Sequence, residues 1–116
     1  MDTEIKSETY GVEYDVEAST IRCYGSLRLG GMQEYDPIVR LFHDVVTQNP
    51  PALMLDLREL EFLNSSGINV LSKFVIRVRQ QKTIALKIMG SRAIPWQGKS
   101  LKNLQRLMPT LELELV

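Results

Sequence analysis

This chain has few of the side chains on which covalent and metal chemistry depends. Its 116 residues hold one cysteine, Cys23, and one histidine, His43. A single cysteine rules out an intramolecular disulfide and a cysteine-rich metal site, and it fits a reducing compartment. With one histidine, only His43 could serve as base to a serine nucleophile, and helical spacing sets it beside the core stripe of the first helix. There is no G-x-S-x-G elbow, and Gly30-Gly31 lacks the lysine and the spacing of a phosphate loop. We therefore expect no enzyme, no catalytic residue, no metal and no cofactor. Charge of neither sign is in excess: Lys plus Arg and Asp plus Glu both number 14. The basic surplus of a general nucleic-acid or membrane-surface binder is missing. The basic residues do lean towards Lys73 to Arg106, ordinarily a solvated helix surface. No apolar run approaches the roughly 20 residues of a membrane span, and Met1 to Thr9 is too polar for a secretion signal. The expectation is a cytoplasmic protein without membrane insertion or direct nucleic-acid binding.

What is present suffices for one ordinary domain. With 44% hydrophobic and 24% charged residues, a core is affordable at this length. We expect a single domain over 1–116, with residues 1–8 flexible or loosely ordered. Tyr10 to Val16 alternates, placing Tyr10, Val12, Tyr14 and Val16 on one face of a half-buried strand. Thr20 to Leu29 reads as a second strand, with Ile21, Cys23, Gly25 and Leu27 on one face, and the two form a hairpin. From Met32 to Gln48 the period turns helical, with Tyr35, Ile38, Val39, Phe42, Val45 and Val46 in one stripe. Pro37 is tolerated only near a helix start, so the regular helix begins around Asp36. Ala52 to Leu57 is the apolar run of a buried central strand, with Asp56 as its exception. A second helix from Ser65 or Ser66 to about Gln81 buries Gly67, Val70, Leu71, Phe74, Val75 and Val78. Ile84 to Met89 is another buried strand. A looser Ser91 to Gly98 segment leads to a third helix, roughly Gln97 to Met108, burying Leu101, Leu104, Leu107 and Met108. Leu111 to Val116 alternates as a last strand. The order β-β-α-β-α-β-α-β implies an α/β fold: a mixed β-sheet of about five strands, with helices mainly on one face.

The most informative stretch joins the third strand to the second helix. Leu55-Asp56-Leu57 is followed by a polar link and then by Asn64-Ser65-Ser66-Gly67-Ile68. Two hydroxyls thus stand where a helix begins, where backbone N–H groups are unpaired and the macrodipole is positive. A phosphate added there would be held electrostatically.

This stretch resembles the D-S-S-G signature of STAS domains, the sulphate transporter and anti-sigma factor antagonist family. The order of elements, Leu55-Asp56-Leu57 ahead of the motif, and Asn103-Leu104-Gln105-Arg106-Leu107 in the last helix are similar too. The resemblance spans about Thr9 to Leu115 and points to a divergent, stand-alone, single-domain member. It implies a non-enzymatic binding module for signalling and transcription regulation, switched by phosphorylation on the second hydroxyl. That hydroxyl is Ser66, with Ser65 as the second choice. It further implies a serine kinase that doubles as an anti-sigma factor, and a phosphatase that resets the switch. Unmodified protein would bind the partner and phosphorylated protein would release it. ATP would belong to the kinase. One departure is Asn64, where the family's usual residue is acidic: the cap is kept and the charge is lost.

Other residues carry secondary expectations. Asp56 needs a partner for its charge. It is either a strand-end carboxylate satisfied by loop amides near the Ser65-Ser66 helix start or a group that orients the switch. Asn64 and Gly67 support that helix start. Ile76 points almost opposite the buried stripe of the second helix. With Ile68 and Ser72 it forms one side that runs on from Ser65, which we read as part of a partner-docking surface. Trp96 is read as a plug between the last helix and the sheet. A second functional reading follows the loss of acid at Asn64: a STAS-like docking subunit of a membrane transport ATPase complex, never phosphorylated.

Overall fold

Residue alternation and turn chemistry first build an antiparallel meander at the N-terminal side. The computed structural model describes residues 3–116. Strands β1 (Glu4–Lys6), β2 (Tyr10–Asp15) and β3 (Thr20–Leu27) pair antiparallel in succession. Val12, Tyr14, Ile21, Cys23 and Leu27 are buried on one face, as a period of two requires. Val16, grouped with them by alternation, falls past the strand end and is 59% exposed. Strand β1 corrects the expectation of a loose N-terminus: Ile5 pairs with Val12. Glu-Ile-Lys holds one apolar side chain, too few to show a period. Met1 and Asp2, part of that expectation, lie outside the described residues.

From β3 onward strands and helices alternate: α1 (Asp36–Thr47), β4 (Ala52–Leu63), α2 (Ser65–Gln81), β5 (Ala85–Gly90), α3 (Gln97–Leu107) and β6 (Glu112–Leu115). Strands β3 to β6 pair in parallel, so the six-stranded sheet runs β1-β2-β3-β4-β5-β6 in chain order. Three crossovers all step the same way along the sheet, and with the right hand that such connections favour they lay the helices on one face. There α1 packs on α2, and α2 on α3. Helix α1 opens with Asp36 and Pro37, whose fixed φ suits a first turn. Its expected stripe is buried apart from half-buried Val39, and Leu41 joins it. All six residues expected to face inward from α2 are buried, and the Phe42 and Phe74 rings meet with centroids 4.9 Å apart.

The other face of the sheet carries charge rather than helices. Arg22 lies 4.4 Å over the Tyr24 ring, bonds Glu13 at 3.1 Å and also bonds Glu59. Lys87 reaches Glu114 at 2.9 Å. Such a polar outer face lets a two-layer sheet remain open to water on one side.

Strand β4 is twice as long as its apolar run suggests. Its first half, Ala52 to Asp56, pairs with β5 throughout, and Met54, Leu55 and Asp56 also lie opposite Thr20, Ile21 and Arg22 of β3. Its second half pairs with β3 alone, and the register shifts twice, between Arg22 and Tyr24 and again between Gly25 and Ser26. At each shift β4 runs one residue longer than β3, as a bulge does. Gly25 allows this at φ +84°, where a Cβ would stand 2.3 Å from the Thr9 carbonyl oxygen. The bulges stretch the inward spacing from Leu55–Leu57 to Leu57–Leu60–Leu63, all buried.

Past Asp56 the flank of β4 that β5 had covered offers carbonyls with no strand to receive them. Buried carbonyls need donors, and here side chains supply them. Gln97, fully buried at the start of α3, donates from Nε2 to Leu57 O at 2.7 Å and to Leu60 O at 3.0 Å. Its Oε1 accepts from Ser91 N–H at 2.7 Å. The half-buried Trp96 indole donates to Leu60 O and Glu61 O at 3.2 and 3.1 Å. Trp96 is therefore the plug the sequence suggested, and its N–H is used as well. This gives the Ser91 to Gly98 segment its role: it closes the open flank of β4.

Candidate functional site

The second half of β4 delivers Asn64, Ser65, Ser66 and Gly67 to the start of α2. Asn64 has extended backbone (φ −80°, ψ 177°) and caps the helix. Its Oδ1 accepts from Gly67 N–H at 2.9 Å and from the Tyr35 hydroxyl at 2.7 Å. Its Nδ2 donates to Leu29 O at 2.8 Å. Burial pushes the Tyr35 hydroxyl above its ordinary pKa, so it stays a donor. Its second acceptor is Leu27 O at 3.3 Å. One amide thus ties three segments together: the end of β3, the entry to α1 and the first turn of α2.

That network explains the departure from an acidic residue. A carboxylate at position 64 could keep both bonds to Oδ1, since it accepts hydrogen bonds. It has no donor for Leu29 O, and it would set two acceptors against each other where Nδ2 now bonds. Gly67 is equally constrained. A Cβ there would fall 2.2 Å from Leu63 Cδ1 and 2.8 Å from the Tyr35 hydroxyl oxygen. The helix start can seat this deeply only because position 67 has no side chain.

The two serines diverge from this anchored start. At ~100° per residue, Ser66 shares a ridge with Val70, Lys73 and Arg77, whereas Ser65 shares one with Asn69, Ser72 and Ile76. Ser65 is exposed and Ser66 half-buried. The Ser66 ridge borders a groove of about 320 Å³ between α1 and α2, floored by Val39, Phe42, Val70 and Phe74 and rimmed by Lys73 and Arg77. Among the described residues neither hydroxyl is bonded to a base. His43 is exposed on the groove rim beside Lys73 and Arg77, about two turns or more along α2 from Ser66.

Asp56 does not belong to this site. Leu55 and Leu57 on either side of it point under the helices, so alternation turns Asp56 to the open face. There it accepts from Arg58 N–H at 3.1 Å, from Arg58 Nε at 3.0 Å and from Arg58 Nη2 at 2.8 Å. The Arg58 side chain holds its carboxyl below the ordinary value. Both readings of Asp56, as a carboxylate met by amides at the helix start and as a switch-orienting group, are corrected. The cause is the length of β4: Asp56 is mid-strand, a further seven residues from its end at Leu63.

Ile68, Ser72 and Ile76 are each half-buried. Ile68 packs against the core. Arg79, on the same side of α2, donates to Leu107 O of α3 at 2.9 Å, so this side of the helix borders α3. Cys23 is buried, and burial first, with the Asp56 charge second, pushes its thiol up to about 12. It is therefore an unreactive core residue. No cluster of His, Cys, Asp or Glu suited to a metal ion occurs among the described residues. No helix among them is long and apolar enough to cross a membrane. Tyr35 and Gln97 carried no signal as anchoring groups: one read as core stripe and the other as the start of a surface helix.

No family model matches the chain, and no curated protein matches it in sequence. Solved structures do match in shape. One is a chain from the crystal structure of the diguanylate cyclase SiaD in complex with its activator SiaC from Pseudomonas aeruginosa, with TM-score 0.74 and 15% identity, covering 99% of this chain and 100% of that one. Another is SiaC of Pseudomonas aeruginosa, with TM-score 0.69 and 13% identity, covering 100% of this chain and 96% of that one. At such identities the likeness is one of fold.

Proposed function

We propose that this protein is a non-enzymatic regulatory module that binds a protein partner and is switched by phosphorylation at the start of α2. The observation that carries the reading is the pair of hydroxyls in the first turn of a helix whose start is held by Asn64, Tyr35 and Gly67. Support comes from a fold that resembles STAS domains and is similar to that of SiaC, an activator found in complex with a signalling enzyme. Ser66 is the first candidate by the resemblance. Ser65 is the second, and its greater exposure favours kinase access. The partner class by resemblance is a serine kinase acting as an anti-sigma factor, with a cognate phosphatase. The likeness to SiaC makes a diguanylate cyclase a second partner class to test.

A phosphate would add about −1.5 to −2 charges. Screening at physiological salt confines its field to roughly 8 Å, about one turn and a half of α2 at ~1.5 Å per residue. It acts on a partner seated at the N-terminal end of α2, with the fold unchanged. The test compares partner affinity of the parent protein with Ser66→Ala and Ser66→Asp, and with the same pair at Ser65. Loss of affinity in the Asp variant alone, at one of the two positions, is the expected result. Full affinity in both Asp variants would refute the switch.

A further inference from the structure

The zero net charge conceals a separation of sign. No Asp or Glu stands between Glu61 and Glu112, and more than half of the chain's Lys and Arg fall in that interval. It contains the whole of α2 and α3. Lys87, on the open face of the sheet, is met by Glu112 and Glu114, which leaves α2 and α3 as the acid-free surface; the acid lining the groove across from Lys73 and Arg77 is Asp36 of α1. Lys99, Lys102 and Arg106 are exposed on α3, directly opposite its buried Gln97, Leu101 and Leu104. On α2, Lys73 and Arg77 are exposed towards α1, and Arg79 lies towards α3, where it bonds Leu107 O. Between these flanks α2 presents Ser65, Asn69, Ser72, Ile76 and Gln80 outward, without a charge among them.

From this pattern we infer that the outward face of α2 docks an acidic amphipathic helix of the protein partner. The partner's small or apolar seam lies along the uncharged track at Ile76, and its carboxylates meet Lys73 and Arg77 on one shoulder and Lys102 and Arg106 on the other. An uncharged seam between charged flanks is an arrangement by which paired helices choose register and partner. The sequence assigned this helix a docking side through Ile68, Ser72 and Ile76. The structure moves its centre outward, because Ile68 is packed on the core, and it adds the cationic shoulders. A helix fits better than a polyanion backbone, because the track includes the half-buried, apolar Ile76 and, among the described residues of α2 and α3, no exposed aromatic is interleaved with the cations. This inference rests on the regulatory reading above and names the partner chemistry for it.

The probe is a synthetic helical peptide with leucine once per turn and glutamate on both shoulders, set against a twin with lysine in place of glutamate. Each is titrated into isotope-labelled full-length protein and followed by backbone amide shifts. The expected result is shifts confined to α2 and α3 for the glutamate peptide, with none for its twin. Ile76→Glu and the double variant Lys102→Glu, Arg106→Glu should each weaken binding about tenfold or more, with circular dichroism unchanged. The proposal is overturned if neither peptide binds, if the lysine twin binds as well, or if the shifts fall on the open sheet face. It is overturned as well if duplex DNA or phosphatidylserine vesicles bind more tightly through the same residues. Self-association relieved by the double variant would overturn it too, by making a second copy the occupant. Ser66→Asp and Ser65→Asp proteins that both keep full affinity for the native partner, while the glutamate peptide still binds α2 and α3, would sink the switch and leave the surface standing. No peptide binding, in a protein whose Asp variant still loses its native partner, would sink the surface and leave the switch.

Discussion

The two halves of β4 solve one problem in different ways. From Ala52 to Asp56 the strand pairs with β5, and from Met54 it lies between β3 and β5 and draws its hydrogen bonds from both. From Leu57 to Leu63 it keeps β3, slips register twice, and takes donors on the other flank from the Gln97 and Trp96 side chains. The first half is ordinary parallel sheet, and its one charged group, Asp56, is neutralised on the open face by Arg58. The second half carries the chain past the end of β5 and sets the start of α2 against Tyr35 and Leu29. The contrast separates two parts of the stretch that carries the resemblance: Asp56 belongs to the sheet, and Ser65 and Ser66 belong to the first turn of α2.

Breaking the second half should cost most. Gln97→Leu removes three hydrogen bonds and leaves Leu57 O and Ser91 N–H buried without partners. At about 1–3 kcal/mol per unsatisfied group, a loss of about 3 kcal/mol is expected in urea unfolding, with earlier amide exchange at α2's first turn than in β5. A loss under about 1 kcal/mol would mean that water serves those groups equally well. Next comes Asn64→Asp. The cap survives and the donor to Leu29 O is lost, so a cost of about 1–2 kcal/mol is expected, read as a lower urea midpoint. Unchanged stability would contradict the reason given for asparagine at this position.

Sequence patterning revealed the first half of β4 and lost the second, for a reason visible in the residues. An alternation of two holds through Leu53, Leu55 and Leu57. The bulges then stretch it to Leu60 and Leu63, with Arg58-Glu59 and Glu61-Phe62 between, which reads as a polar link. Helix stripes were legible because their period has no interruption: every residue expected inward on α2 is buried. The N-cap role of Asn64 was legible from its chemistry. Its bonds to Tyr35 and Leu29 were not, because they cross 29 and 35 residues of sequence. Gln97 was invisible because a glutamine at a helix start is ordinarily solvated.

Two milder changes sharpen the same contrast. In the first half, the Asp56 carboxyl is held below its ordinary value of 3.8 by Arg58. A depressed folded-state pKa contributes stability that is fully present above the unfolded value and is lost as pH falls through the folded one. The stability gap between the parent and Asp56→Asn should therefore close as pH drops below about 4, and partner affinity near neutral pH should not change. A gap that persists at low pH would contradict the ion-pair account. In the second half, Ser66→Asp places a negative charge at a helix N-terminus. It should raise stability slightly, by about 0.3–1 kcal/mol, in the same protein whose partner affinity falls. A clear destabilisation would show that Ser66 is a packing residue and not an open acceptor.

The most direct measurement is intact-mass and peptide mass spectrometry on the protein purified from its native cells, with and without phosphatase treatment. The account expects a phosphatase-sensitive gain of one phosphate, located at Ser66 or, as the second choice, at Ser65. A single unmodified mass across several growth conditions would contradict it and favour a static docking subunit.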